Sequence, residues 1–159
     1  MLIAAYCTAL TFTKMLKMEA LQERDALFSA VFDESADAIL LVHAHDDTIY
    51  DCNRRAVELF EVPSKTHLIG KVISDFQTDP TPAKLNEQDQ LRLKQGETIT
   101  HEHAYKTYQG KTFLGDIATK QLKVGGEVIN LVRITDITRY KRDKAAHVLP
   151  VLPSSVCAR

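Results

Sequence analysis

The sequence has few cysteines, no excess of charge of either sign and no apolar run long enough to cross a membrane. Cys7, Cys52 and Cys157 are odd in number and far apart, so they predict neither a disulfide framework nor a zinc ribbon. This cysteine usage fits a reducing, cytoplasmic setting. The 20 basic and 21 acidic side chains form no basic stripe, which argues against a surface for nucleic acid or anionic lipid.

The longest apolar stretch, residues 1–12, would be about 18 Å long as a helix. A bilayer core is about 30 Å thick, so the stretch cannot span it alone. No basic residue precedes it, as one would in a signal peptide. Two interpretations stay open: an apolar helix start that a partner covers, or the end of a membrane segment that begins outside this chain.

What is present is enough apolar material, 45% of the residues, for one domain with a real core. Residues 13–32 contain neither Gly nor Pro and carry apolar side chains at helical spacing, which predicts an amphipathic helix. The apolar positions of that helix are Leu16, Ala20, Leu27 and Val31, with Leu21, Phe28 and Phe32 beside them.

Two strands then form a hairpin around the turn at residues 45–47, and Asn53 is placed to cap the helix that follows. A second helix is predicted over residues 83–97, with Leu85 and Leu91 facing inward. Three strand patterns follow, at 98–108, 112–124 and 127–137. The order predicts an α+β domain with one antiparallel sheet. Because the first and last strands are apolar on both faces, we expect the N-terminal helix to cover the face opposite the other helices.

The candidate chemical residues do not assemble into a catalytic or metal site. His43 and His45 share one strand face and His101 and His103 share another, but strands between them would hold the pairs about 10–15 Å apart. Zinc needs its ligands about 2 Å away, so no metal site is predicted. Cys52 has no base fixed beside it by the sequence, and we expect no enzymatic activity.

Several motifs in order resemble the sensor-type PAS family of bacterial signal-transduction proteins. They are "DESADAILLV", the helix "CNRRAVELF", the turn "LIGK" and the terminal "DIT" of residues 136–138, over roughly residues 25–143. The resemblance implies a PAS-like five-stranded antiparallel sheet with short helices on one face and an N-terminal amphipathic helix. We divide the chain into that helix at 1–24, a PAS domain at 25–143 and a flexible tail at 144–159.

The family resemblance implies a pocket between the sheet and the helices. The alternation of side chains along the strands predicts which strand residues face it. The predicted lining residues are Leu40, Val42, Leu68, Phe76, Leu91, Phe113 and Asn130. For Asn130, a ligand contact, a bond to a neighbouring side chain or water, and an outward orientation all stay open. The segment after "LIGK" has no cysteine and the helix at 83–97 has no histidine, which disfavours covalent flavin and haem. Non-covalent flavin or a small metabolite stays open.

The resemblance implies a sensory function with two alternatives. In the first, the domain binds a small ligand and passes a signal through a linker at Asp136 and Thr138 to an effector such as a histidine kinase or diguanylate cyclase, whose motifs this chain lacks. In the second, it is a ligand-free dimerising adaptor of a histidine kinase, cyclase or transcription regulator, with a pocket filled by Leu85, Leu91, Phe76 and Phe113. In both, we expect a homodimer through the N-terminal helix.

Overall fold

The computed structural model of the chain describes residues 2–79 and 86–147, with side chains from residue 13 onward. Five strands form one antiparallel sheet in the order β2-β1-β5-β4-β3, so the predicted fold class is confirmed. Two single-turn 3₁₀ helices, Lys65–His67 and Ile73–Phe76, accompany four α-helices. The elements are α1 (Leu2–Asp33), β1 (Ala38–His43), β2 (Ile49–Cys52), α2 (Arg54–Leu59), α3 (Glu87–Lys94), β3 (Thr98–Lys106), β4 (Thr112–Val124), β5 (Glu127–Asp136) and α4 (Thr138–His147).

The centre of the sheet is the pairing of β1 with β5. Leu40 pairs with Val132 there, and Ile117 of β4 pairs with Ile134 of β5. These side chains lie on the face that packs against α2 and the 3₁₀ helices, which we call the inner face, and all four are buried. Because strand side chains alternate, the residues between them form an outer face whose apolar members are mostly half-buried.

Asn53 joins the start of α2 to two other parts of the fold. Its Oδ1 accepts hydrogen bonds from the backbone N–H groups of Ala56 and Ile39, each at 2.9 Å. Its Nδ2 donates to the carbonyl oxygens of Phe32 and Asp37, each at 3.0 Å. The predicted helix cap is confirmed, and the same fully buried amide also holds the end of α1 against β1.

The prediction that the N-terminal helix covers the sheet is wrong. Leu16, Leu27 and Val31 are 49%, 65% and 66% exposed. The helix is held at its C-terminal end, where Asp33 Oδ1 accepts from the Arg54 N–H at 2.9 Å and only Phe32 is buried among its described side chains. Since these contacts hold only its last turn, the helix leaves the domain, and it continues without a break across the predicted boundary between residues 24 and 25.

Two further boundaries differ from the sequence predictions. Residues 144–147, assigned to a flexible tail, continue α4, whereas residues 148–159 lie outside the described residues. The helix predicted over 83–97 is shorter, and Leu85 lies outside the described residues. The prediction that Leu91 faces inward is wrong, because it is 56% exposed while Leu93 is 3% exposed. Two residues are about 200° apart around a helix, so the two leucines cannot share a face.

No helix in the described part of the chain combines the length and apolar character needed to cross a membrane.

Candidate functional site

One end of the inner face is filled by four aromatic rings, which we call the aromatic cluster: Phe60, Phe76, Tyr105 and Phe113. The Phe60 ring centroid lies 5.2 Å from that of Phe76, 5.7 Å from Tyr105 and 5.6 Å from Phe113. Tyr105 and Phe113 stack at 5.5 Å. Edge-to-face and stacked contacts at these distances add stability beyond the burial of area. This end of the interior is closed by packing.

Gly115 makes room for one ring of the aromatic cluster. A Cβ atom at this position would lie 2.9 Å from Ile134 Cγ2 and 3.3 Å from two carbon atoms of the Tyr105 ring. The absence of a side chain therefore lets the Tyr105 ring lie close against β4. Tyr105 is 1% exposed as a result.

The other end of the inner face is not filled. It borders a space of about 600 Å³ between the sheet, α3 and the 3₁₀ helix at Ile73–Phe76, which we call the cavity. Its apolar walls come from both sides, the sheet and the helices. Its lining is Val42, Ala44, Asp47, Ile73, Ser74, Gln77, Gln90, Leu93, Lys94, His101, Tyr105, Ile117, Thr119, Gln121, Asn130 and Val132.

The predicted pocket residues divide into three groups in the structure. Val42 and Asn130 line the cavity. The others lie in the packed core or, in one case, on the surface. Core residues are Leu40, Leu68, Phe76 and Phe113, and the surface residue is Leu91. Binding of a ligand by Val42 and Asn130 stays a prediction.

Asn130 faces the cavity and bonds a neighbouring side chain. Gln121 Nε2 donates to Asn130 Oδ1 at 3.2 Å, and the two residues pair across β4 and β5. Asn130 is only 9% exposed. Sequence reasoning missed Gln121, although pairing the two strands from their connecting turn would have placed it opposite Asn130.

Gln77 and Tyr105 form the border between the cavity and the aromatic cluster. The side chains are hydrogen-bonded, and this bond partly offsets the burial that raises the pKa of Tyr105 to about 12. Gln77 Oε1 is buried and has no hydrogen-bond partner among the described residues. The phenol therefore stays protonated at neutral pH, and a buried acceptor beside it is unmatched.

The charged groups of the cavity lining lie at its rim, and a titratable histidine lies deeper. Lys94 and Asp47 are exposed and so lie at the rim of the cavity. His101 lies deeper, where burial and then the nearby His103 lower its pKa. At neutral pH the imidazole is therefore uncharged, and the inner end of the cavity presents polar but neutral groups.

The predicted signal linker is joined to the sheet by three hydrogen bonds. Asp136 Oδ1 accepts from the Thr138 N–H at 2.9 Å and so caps α4 as predicted. Thr138 Oγ1 in turn accepts from the Leu114 N–H at 2.9 Å, and the Ile137 N–H donates to the Leu114 carbonyl at 2.9 Å. The start of α4 is thus fixed to β4. A role in signalling stays a prediction.

The segments next to α1 and α4 also contact each other directly. Thr135 Oγ1, three residues before α4, donates to Asp37 Oδ1 at 2.9 Å. Arg133 Nε lies 3.7 Å from the other carboxylate oxygen. Asp37 follows α1 by four residues, so the beginning and the end of the folded domain meet on the outer face.

The described side chains offer little for catalysis or metal binding. Within residues 13–79 and 86–147, no three His, Cys, Asp or Glu side chains come together as metal ligands. The sequence singled out His43 and His45. Their ring centroids lie 5.4 Å apart, and the centroid of the His43 ring lies 5.3 Å from that of Tyr50. Cys52 is buried in the core, where burial raises the pKa of its thiol to about 11. A thiol with that pKa is a weak nucleophile at neutral pH.

A comparison with protein-family models finds a match over part of the chain. Residues 26–95 match the family model described as a PAS domain. This range covers β1, β2, α2, α3 and both 3₁₀ helices. A comparison with curated protein sequences finds no significant match.

Solved structures resemble the fold over most of the chain. The PAS domain of an HTR-like protein from Haloarcula marismortui is 23% identical, with a TM-score of 0.64 over 77% of this chain and 99% of that one. A PAS domain from a two-component sensor histidine kinase is 15% identical, with a TM-score of 0.60 over 72% and 97%. The PAS domain of a LuxR-family regulator from Burkholderia thailandensis, in complex with ethanol, is 15% identical, with a TM-score of 0.56 over 69% and 96%.

Proposed function

We propose that this chain, which contains a PAS domain, senses a small molecule in the cavity and passes a conformational signal through α4 to an effector. PAS domains are sensory and regulatory modules of signalling proteins rather than catalytic ones. The cavity carries the proposal, because its volume of about 600 Å³ falls within the range of about 300–1,000 Å³ that is usual for small-molecule sites. A histidine kinase is a suitable effector, since one related PAS domain belongs to such a kinase.

Strand β5 offers the route from the cavity to α4. Asn130 and Val132 on β5 line the cavity, and the same strand ends at Asp136, which caps α4. A ligand that displaces these two side chains acts on the strand that positions the helix. The Asp37–Thr135 bond carries the same displacement toward α1.

Native mass spectrometry tests whether the cavity is a ligand site. We expect freshly purified protein to show a mass above that of the chain, which disappears on denaturation, and the released molecule to rebind. A visible absorption spectrum of the same sample distinguishes a non-covalent flavin from a colourless metabolite. If the native and denatured masses agree and a fragment screen finds no binder, the sensor proposal fails.

Hydrogen exchange tests the coupling through α4. Asp136→Ala removes the carboxylate that accepts from Thr138, so exchange over residues 138–143 should rise while β4 and β5 stay protected. Asp143→Ala is the matched control, because it removes a carboxylate from the same helix without touching the cap. Equal exchange in the two variants would contradict a linker role for Asp136.

We further propose that α1 pairs with its copy in a homodimer. Leu16, Leu27 and Val31 share one side of the helix and are about half or more exposed, together with Leu21 and Phe28 beside them. An exposed apolar surface of this extent is typical of an interface. Two-fold homodimers are the commonest assemblies that would cover it.

Sedimentation at tens of micromolar tests the dimer. Leu27→Glu places a charge in the apolar stripe and should yield a monomer, whereas Ser29→Glu adds the same charge about 160° around the helix and should leave the dimer intact. A chain beginning at Glu23 should be a folded monomer. If the full chain is itself a monomer, the interface is wrong.

The ligand-free adaptor is the second candidate, and the aromatic cluster favours it. Phe76 and Phe113 are packed as that alternative requires, but they fill only one end of the inner face, and Leu91 lies on the surface. The adaptor would dimerise through α1 and carry no bound molecule. We place either form in the cytoplasm because of the cysteine usage.

A further inference from the structure

The unmatched acceptor at Gln77 is informative about what the cavity holds. Gln77 Oε1 is buried and takes no hydrogen bond from the described residues, while Asn130 Oδ1, which belongs to the lining of the same cavity, accepts from Gln121. Buried polar atoms in folded proteins nearly always have a partner, and an unmatched one destabilises the fold. A molecule in the cavity with a hydrogen-bond donor would supply the missing partner.

The surroundings of Gln77 restrict the charge of that donor. The Gln77 side chain is hydrogen-bonded to the Tyr105 phenol, which is neutral at physiological pH and stacks on Phe113 of the aromatic cluster. The charged lining residues Lys94 and Asp47 are exposed and lie at the rim. Burying an ammonium or carboxylate beside Gln77 would leave a charge without a counter-ion, which is costly.

We propose that Gln77 is the inner binding residue of the cavity and that it selects a small neutral molecule with an N–H or O–H donor. The apolar body of the molecule lies between Val42, Ile117 and Val132 of the sheet and Ile73 and Leu93 on the opposite side. Hydrocarbons and ligands that enter with an ionised group foremost are rejected. This inference rests on the proposed sensor function and names the chemical class that the sensor reads.

Ligand-observed NMR with matched pairs of fragments tests the donor requirement. Suitable pairs are indole with benzofuran and p-cresol with 4-fluorotoluene, because each pair keeps its size and shape and replaces only the donor. We expect the donor-bearing member to bind about tenfold or more tightly, since a site built around a hydrogen bond rejects the analogue that lacks it. Equal binding within each pair overturns the inference while leaving the sensor function intact.

Variants assign the preference to Gln77. Gln77→Met keeps the length of the side chain and removes the acceptor, so the tenfold preference should vanish. Gln95→Met is the matched control, because Gln95 caps α3 outside the cavity lining. A preference that persists in Gln77→Met overturns the assignment.

The ligand-free protein provides an independent measurement. Because Gln77 also bonds Tyr105, the comparison is made in a Tyr105→Phe background, where that bond is already absent. There, Gln77→Met removes only unpaired polar atoms and should raise the midpoint of thermal unfolding, whereas Gln95→Met should leave it unchanged. A lower midpoint in Gln77→Met in this background overturns the inference, because Gln77 would then be a structural residue. Failure of every fragment pair to bind also overturns it, as does an ordered water that keeps its place on Oε1 in every complex. If native mass spectrometry still finds a bound molecule in any of these cases, the donor requirement is wrong but the proposed sensor function is not contradicted.

Discussion

The aromatic cluster and the cavity lie on the same face of the same strands, yet one is packed solid and the other is open. Strand β4 contributes Phe113 and Gly115 to the cluster, then Ile117, Thr119 and Gln121 to the cavity. At the closed end large rings meet a glycine. At the open end medium-sized and polar side chains meet one another and leave space.

The aromatic cluster stabilises the domain, whereas the cavity is the part that can respond to a ligand. The closed end buries large apolar rings and contributes stability, so it should tolerate change poorly. The open end keeps a buried asparagine, half-buried glutamines and a neutral histidine, which contribute little to packing. Folding and recognition are thus assigned to opposite ends of one sheet.

The largest expected effect is at the centre of the aromatic cluster. Phe60→Ala removes a ring that is 1% exposed and contacts three others, so the free energy of unfolding should fall by about 3–5 kcal/mol. Urea unfolding measures the change. Leu91→Ala, at an exposed position of α3, should change it by less than about 0.5 kcal/mol. Similar losses in both variants would remove the distinction between core and surface on which the comparison depends.

The second largest effect is expected from adding a single methyl group at Gly115, next to the aromatic cluster. Gly115→Ala places a Cβ within 2.9 Å of Ile134 and 3.3 Å of Tyr105, so we expect a loss of about 1–3 kcal/mol and a displaced Tyr105 ring. Proton NMR of the aromatic resonances reports the displacement. Ala118→Ser, on the outer face of β4, should leave those resonances in place. An unchanged Tyr105 spectrum in Gly115→Ala would contradict the account of the glycine.

Substitutions of two buried asparagines compare how much a polar residue of the cavity and one of the packed core each contribute to stability. Asn130→Leu loses one bond to Gln121 and gains apolar area, so its free energy of unfolding should change by less than about 1 kcal/mol. Asn53→Leu loses four bonds to backbone groups and should cost about 3 kcal/mol or more. Thermal unfolding compares them. Equal costs would mean that the open end is as structurally constrained as the rest.

The smallest expected effect is a pH dependence at the open end. Burial and His103 lower the pKa of His101 below its ordinary value of 6.5, while Asp89 and Asp116 act in the opposite direction. Just below pH 6.5 the unfolded chain therefore binds the proton more readily, and stability falls as the pH falls. His101→Asn should flatten this slope in thermal unfolding, and the exposed His147→Asn should not. An unaltered slope in His101→Asn would place the titration elsewhere.

The parts of the fold that depend on local chemistry were predictable from the sequence. Strand alternation, the Asn53 cap and the Asp136 cap all follow from residues a few positions apart, and the structure confirms them. The motif order was also sufficient to predict the five-stranded antiparallel sheet.

The lining of the cavity was predicted less well because it combines residues of the sheet with residues of the helices that lie opposite the sheet. Gln77 and His101 come from different parts of the chain, and no periodic pattern relates a 3₁₀ segment to a distant strand. Leu91 was misassigned because an eight-residue helix is too short for its period to choose between two leucines. The exposed position of α1 was missed because its amphipathic pattern indicates only that it meets an apolar surface, which need not belong to its own sheet.

The position of β5 has a consequence for how the chain is made. Strand β5 lies in the middle of the sheet, between β1 and β4, and among the described strands it is the one that joins the hairpin β1–β2 to the hairpin β3–β4. During synthesis the two hairpins can form early, but each keeps an unpaired edge until residues 127–136 have left the ribosome. A ribosome that stalls before this strand would leave two open edges on one chain, so a nascent chain should be most prone to aggregation just before this strand emerges.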